Sequence, residues 1–229
     1  MTIKNLKICM RRLVGNIMGQ DIWKNIGFDV DVVAFDVFDT LIYREGILFP
    51  ADVYDLVGDS IGISNFKYIR INAEHKARDI ASGKEREVLI EEIYDVLARE
   101  MGWNRDYSNK VKNKEIEIEL NACKADENMK RFYNSVLQKG KKVVIISDMY
   151  LDKATLEKIL KKQGYNLNEV DLYVSSEYRC SKRSGELYRK AIDKLNVKAD
   201  RVIMIGDNFI SDYLIPKKIG MQTMLYRRR

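Results

Sequence analysis

Histidine is almost absent from this sequence. A single imidazole, His75, excludes any site that needs two, such as a His-x-x-x-His zinc motif. The three cysteines, Cys9, Cys123 and Cys180, lie far apart with no Cys-x-x-Cys pair. They make neither a zinc knot nor a disulfide framework, and point to a reducing, cytoplasmic compartment. Two prolines and 13 glycines in 229 residues exclude collagen-like and flexible low-complexity chains. No apolar run approaches the roughly 20 residues of a membrane span. The first residues lack the apolar stretch and small-residue cleavage site of a secretory signal.

A large excess of one charge is also missing from the body of the chain. The formal charge is +6, but residues 1–27 carry +4 and Arg227–Arg229 carry +3. The rest is therefore near neutrality, which argues against a basic nucleic-acid groove. In the first segment, Leu6, Met10, Leu13 and Ile17 recur at helical spacing beside Lys7, Arg11 and Arg12. Two readings stay open for this basic helical arm over 1–27. One is packing on the body or a second chain. The other is peripheral contact of residues 1–20 with anionic lipid.

What is present is a globular composition, 46% hydrophobic and 32% charged. Short β-branched runs stand at Asp31–Phe35, Lys142–Ile146, Asp171–Val174 and Arg201–Ile205, with a weaker one at Gln222–Tyr226. Continuous Val/Ile runs without polar alternation predict strands buried on both faces. Helical patterns at Lys153–Gln163 and Gly185–Leu195 separate the later runs, and Gly164 and Gly220 stand where helix ends are expected. The rhythm predicts an α/β, Rossmann-like, doubly wound parallel sheet. From Thr40 to Ser147, 106 residues intervene where a crossover needs about a dozen. Residues 52–60, 64–81, 87–101, 111–124 and 126–139 show helical periodicity there, Ile69, Ala73, Ala77 and Ile80 forming one stripe. The expected organisation is a core over 28–49 and 140–229 with an inserted α-helical cap domain over 50–139.

Ligands of such sheets bind beyond the carboxyl ends of the strands. Each of the first four runs delivers polar groups there: Asp36 in FDVFDT, Ser147 and Asp148 in IISDMY, Ser175, Ser176 and then Lys182 after the third, and Asp207, Asn208 and Asp212 in IGDNFISD. Any one of them serves equally as a helix cap; all four in this order converge on one crevice. Asp36 and Asp207, 171 positions apart, share one cation only if the sheet brings them within about 8 Å.

This set resembles the haloacid dehalogenase-like (HAD) superfamily of hydrolases and phosphotransferases over roughly residues 30–226. The family's motifs are Asp-x-Asp-x-Thr-Leu, a Ser or Thr after the next strand, a Lys opening a helix, and Gly-Asp followed by a further Asp. Lys182-Arg-Ser-Gly-Glu-Leu-Tyr188 matches the third in spacing without its prolines. FDVFDTLIYR, ISDMYL and GDN-x-x-SD resemble, more narrowly, a branch of predicted hydrolases associated with bacterial surface-polysaccharide genes.

The resemblance implies a Mg²⁺-dependent hydrolase of a small phosphorylated metabolite, such as a sugar phosphate. Asp36 would be the nucleophile and form an aspartyl-phosphate. Asp36, Asp207 and the Phe38 carbonyl would hold the metal, with Asp212 holding a metal-bound water or orienting Lys182. Ser147 would hydrogen-bond the transferring group beside Asp148, and Lys182, or its neighbour Arg183, would meet the developing charge. Hard oxygen ligands and a masked phosphoryl charge make chemical sense of this set. One departure is serious: Phe38 stands where most family phosphatases carry a second Asp, the general acid and base, whose loss costs on the order of 10²–10⁴ in rate. Dehalogenase members also lack that Asp, yet they need no metal and generally lack Gly-Asp, which is present here as Gly206-Asp207. Asp39, one residue later, is a candidate substitute for that acid, although on an extended segment adjacent residues point opposite ways. Two other readings therefore stand beside the phosphatase: a catalytically impaired binding module of envelope-polysaccharide assembly, and a phosphonate-cleaving variant. In the insert, Arg70 and Arg78 flank Glu74 two turns apart, either to bind a second anionic group of the substrate or as a salt-bridge ladder. His75 is read as a half-buried helical residue.

Overall fold

The computed structural model describes residues 29–81 and 87–228; the expected basic arm over 1–27 lies outside them. Five strands, β1 (Val32–Phe35), β4 (Lys142–Ser147), β5 (Asp171–Val174), β6 (Val202–Gly206) and β7 (Gln222–Leu225), form one parallel sheet in the order β5-β4-β1-β6-β7. All five predicted strands are present, with ends shifted by at most one residue. β1 is central and wholly buried, aligned with Lys142 and Val202 at Val32 and with Ile145 and Ile205 at Phe35. The chain leaves β1 towards β4 on one side and later returns to β6 on the other. That reversal opens the crevice at the carboxyl end of β1.

Alternation along β1 sorts the core into two layers. Val33 and Phe35 face α5 (Glu127–Gln138) and α6 (Lys153–Lys162), meeting Phe132, Tyr133, Leu156 and Ile159. Val32 and Ala34 face the opposite layer, which holds Leu187, Tyr188 and Ala191 of α8 (Glu186–Leu195). A short helix, α7 (Ser175–Tyr178), follows β5, and α9 (Ile215–Ile219) precedes β7.

Between β1 and β4, four helices form the insert: α1 (Val53–Ile61), α2 (Phe66–Ile80), α3 (Ile90–Met101) and α4 (Arg105–Ala122). The fifth expected helix, α5, does not belong with them. Its apolar face lies on the main sheet, with Phe35 5.9 Å from Phe132 and 5.5 Å from Tyr133 between ring centroids. The expected boundary near residue 139 thus moves to the other end of α5, because Phe132 and Tyr133 pair with β1 rather than with the insert. An antiparallel pair not anticipated from the sequence, β2 (Ile42–Arg44) with β3 (Cys123–Ala125), carries the chain into and out of the insert. Both strands are three residues long and show no alternation that periodicity can detect.

The insert is organised around a charged centre. Arg70 is wholly buried, and its Nε and Nη2 donate to the Glu115 carboxylate at 2.9 Å each. The rings of Tyr54 and Tyr150 lie 4.6 and 4.7 Å from its guanidinium carbon. Tyr94 donates to Glu115 at 2.8 Å, so groups from all four helices meet Tyr150 of the loop after β4. Glu74 accepts from both Arg70 and Arg78, and Arg78 also donates to Glu87. The salt-bridge ladder is the arrangement found, and Arg70 is consumed in it. His75 is exposed rather than half-buried, and the stripe through Ala73 and Ala77 ends before Ile80, which is 66% exposed.

A buried pair that loses one member leaves an uncompensated charge, which costs about 3–5 kcal/mol. Arg70→Met and Glu115→Leu should each lower stability by about that much, and the double variant should recover most of it. Urea unfolding of the three variants checks this; near-neutral single variants would count against the centre.

Candidate active site

The crevice is built from four strand ends. After β1 the chain does not continue extended. Leu41 and Ile42 both donate to the Val37 carbonyl, at 2.9 and 3.0 Å, and Asp39 takes a left-handed φ of 59°. This tight turn places Asp36 at its start, its backbone N–H donating to Ile205 O at 2.9 Å and its Oδ2 accepting from Thr40 at 3.3 Å. After β6, one wide helical turn over Phe209–Leu214 carries Asp212 back over the strand, its N–H donating to Asn208 O at 2.8 Å. Asn208 caps that turn through Ile210 N and Ser211 N.

Lys182 is buried between the two arms. Its Nζ donates to Asp36 Oδ1 at 2.5 Å and to Asp212 Oδ1 at 2.7 Å. Its own N–H donates to Asp148 Oδ1 at 2.7 Å, so Asp148 holds the lysine's backbone. Arg183, by contrast, is exposed. Ser147 is buried at the end of β4, and its hydroxyl makes no hydrogen bond among the described residues. One carboxylate oxygen from each of Asp36, Asp207 and Asp212 lies within 4.8 Å of the others. Gly206 is required by this approach: a Cβ there would stand 2.4 Å from Asp212 Oδ2.

Electrostatics follows from the count of charges. Three carboxylates share one ammonium, leaving −2 when all are ionised. Burial pushes Asp36 up to about 8, with Lys182 pulling down and Asp212 and Asp207 pushing further up. Burial also raises Asp207 to about 6, with added repulsion from Asp212 and Asp39. Burial works against the Lys182 ammonium, but Asp212 and Asp36 overcome it and its pKa is raised. A cluster of hard oxygens with a −2 deficit fits a small divalent cation such as Mg²⁺.

Phe38 is half-buried, and the Arg44 guanidinium carbon lies 4.1 Å from its ring centroid. Arg44 in turn donates twice to buried Glu119 of α4, at 2.7 and 3.0 Å. Asp39 is exposed, and its charge reaches Asp207 because the turn, not an extended segment, sets its direction. The segment is a turn and not the extended strand assumed in that expectation, and Asp39 makes no hydrogen bond or ion pair with the cluster among the described residues. Sequence reasoning missed Tyr188, whose hydroxyl donates to Ser211 O at 2.7 Å and stands 3.4 Å from Asp212 Oδ1. It also missed Glu87, which accepts from Ser175 at 2.9 Å and ties the insert to the crevice wall. Tyr188 closes the Lys182–Tyr188 motif, a spacing signal that could have found it, whereas Glu87 carries none, since its contact is between distant elements.

A Rossmann-like parallel sheet with an acid–lysine cluster at its carboxyl edge defines a hydrolase fold, and the comparisons agree. The chain belongs to the haloacid dehalogenase-like hydrolase family, whose model matches residues 30–220. A 74-residue stretch is 27% identical to haloacid dehalogenase-like hydrolase domain-containing protein 3 of Danio rerio. That match covers 32% of this chain and 31% of the relative, about a third of its length. Among solved structures, a HAD family enzyme from Bacteroides thetaiotaomicron, complexed with magnesium and inorganic phosphate, aligns with a TM-score of 0.61 at 12% identity, over 86% of this chain and 94% of that one. The L-2-haloacid dehalogenase of Xanthobacter autotrophicus aligns at 0.57 and 13% identity, over 87% and 78% of the two chains. The magnesium-bound HAD-hydrolase YfnB of Bacillus subtilis aligns at 0.54 and 17%, over 86% of each. Among the described residues, no helix is long and apolar enough to cross a membrane.

Two outcomes follow. Gly206→Ala should lower stability by about 1–3 kcal/mol through overpacking against Asp212, read from the thermal midpoint. The second concerns pH. Without a cation, folded Asp36 and Asp207 keep protons up to about 8 and 6, whereas unfolded aspartates ionise near 3.9. The native state then binds more protons between those limits, so stability falls as pH rises through them. Added Mg²⁺ should offset this, raising the melting temperature more at pH 8 than at pH 5. An equal rise at both values would argue against these carboxylates as the binding site.

Proposed function

We propose that this hydrolase is a Mg²⁺-dependent phosphatase of a small phosphorylated metabolite, such as a sugar phosphate, acting through Asp36. The observation that carries the reading is the buried Lys182 held between Asp36 and Asp212, with Asp207 beside them. In this reading Asp36 Oδ2 attacks phosphorus, the bond to the leaving oxygen breaks, and an aspartyl-phosphate forms. Water then attacks that phosphorus and returns the carboxylate. Burial holds the Asp36 carboxyl well above its ordinary value despite Lys182, so the nucleophilic carboxylate forms when the cation adds its charge to that of Lys182, which also lends positive charge to the phosphoryl oxygens as they approach. Ser147 donates to a phosphoryl oxygen. Asp36, Asp207, Asp212 and the Phe38 carbonyl hold Mg²⁺, which when bound supplies the charge that lets two anions meet. Asp148 positions Lys182 rather than touching the substrate directly. The insert acts as a cap that excludes water, and the setting is the cytoplasm.

Phe38 favours a second reading. Its ring carries no proton and is held under Arg44, so an impaired module that binds a phosphorylated ligand, as in envelope-polysaccharide assembly, fits the same crevice.

The two separate by leaving group. Asp36→Asn should abolish turnover. Wild type with Mg²⁺ should cleave p-nitrophenyl phosphate far better than a hexose phosphate, because an activated aryl oxide leaves without a proton. Phe38→Asp should raise the hexose phosphate rate selectively, by up to about 10²-fold. Activity that survives Asp36→Asn sinks the covalent mechanism. Mg²⁺ binding with no ester turned over favours the binding module.

A further inference from the structure

The sequence counts Arg227 and Arg228 only as surplus charge, but the fold carries them past the end of β6, where Asp207 stands. β7 lies beside β6 with Leu225 opposite Gly206, and Tyr226 N donates to Gly206 O at 2.8 Å. The chain therefore leaves the sheet alongside Asp207. Tyr226 is buried and its hydroxyl donates to Asp126 Oδ2 at 2.8 Å, which pins the departure point. Arg228 then lies over Tyr43 of β2, its guanidinium carbon 3.7 Å from the ring centroid. The segment thus runs from the Asp207 side of the crevice to the strand that leads into the insert.

Between these two anchors sits Arg227. Its Nε is buried and has no hydrogen-bond partner. No carboxylate of the described residues lies within salt-bridge distance of it, although its charge is felt at Asp207. A buried guanidinium N–H left unpaired is costly, and Arg forms its strongest bonds two at a time with carboxylate or phosphate. Arg70 and Arg78 of the insert are not available for such a role, since Glu115, Glu74 and Glu87 engage them.

We propose that Arg227, braced by the Arg228–Tyr43 stack, binds a second anionic group of the ligand, so that the substrate is a phosphate monoester bearing a carboxylate or a further phosphate. This rests on the phosphatase reading for the first phosphate and adds the class of the remainder.

The test uses the full chain with Mg²⁺ and two arms. Phosphonoacetate and methylphosphonate are compared as competing ligands by calorimetry at one fixed, saturating concentration of free Mg²⁺, so that chelation by phosphonoacetate does not change the metal occupancy. Phenyl phosphate and 4-carboxyphenyl phosphate are compared as substrates. Wild type should favour the carboxylated member of each pair by about tenfold or more, as a charged hydrogen bond provides. Arg227→Gln should bring both ratios to within about twofold of one, and Arg227→Lys should restore part of the preference. A preference in binding without turnover upholds the role of Arg227 while the phosphatase reading fails. Turnover without preference overturns the role of Arg227 while the phosphatase reading stands. If Arg227→Gln instead tightens Mg²⁺ and changes both ligands equally, Arg227 is a counter-charge to Asp207 and the inference is wrong.

Discussion

The Lys182 ammonium holds the crevice together. It bridges Asp36 from the end of β1 and Asp212 from the turn after β6, two segments whose carboxylates would otherwise repel each other in a buried place. The bridge is held from behind. Asp148 grips the lysine's backbone, Tyr188 anchors the turn that carries Asp212, and Gly206 leaves the gap into which the Asp212 carboxylate fits. One ammonium does not balance three carboxylates, so the cluster remains short of positive charge. That deficit fits a small divalent cation.

The insert reaches this cluster through aromatic and charged side chains. Tyr150, two residues after Asp148, packs on Arg70 and takes a hydrogen bond from Tyr54 at 3.3 Å. Arg44 links Phe38 at the crevice to Glu119 on α4. Movement of the insert therefore cannot leave the turn after β1 or the loop after β4 untouched. Phe38, where a proton donor is expected, is instead one face of an Arg–aromatic stack that fastens the insert to the turn after β1. Its ring is held for packing as well as for what it lacks chemically.

Much of this was legible in the sequence, and for identifiable reasons. Val32–Phe35, Lys142–Ser147 and Val202–Gly206 are runs buried on both faces, and such runs announce themselves without any partner. Asp36, Ser147 and Asp207 stand at the ends of those runs, and Lys182 follows the Asp171–Val174 run, so the order of strands was enough to gather them. The helical periods of the insert were visible for the same local reason. What escaped depended on contacts between distant residues. α5 has the same amphipathic pattern as the insert's helices, and only the Phe35–Phe132 and Phe35–Tyr133 contacts assign it to the sheet.

The sequence by itself determined the layered α/β fold, the family, and which side chains gather at the carboxyl edge, because each of these is written in local pattern and spacing. Tertiary structure alone decided how they are used. It turned the backbone at Asp39 into a left-handed bend, spent Arg70 and Arg78 on glutamates, and chose Lys182 over Arg183. It also carried Arg227 from an unremarkable basic cluster to the side of Asp207. Charges act through space over a few ångströms, and which ones come that close is settled by the packing of the sheet and not by their order along the chain.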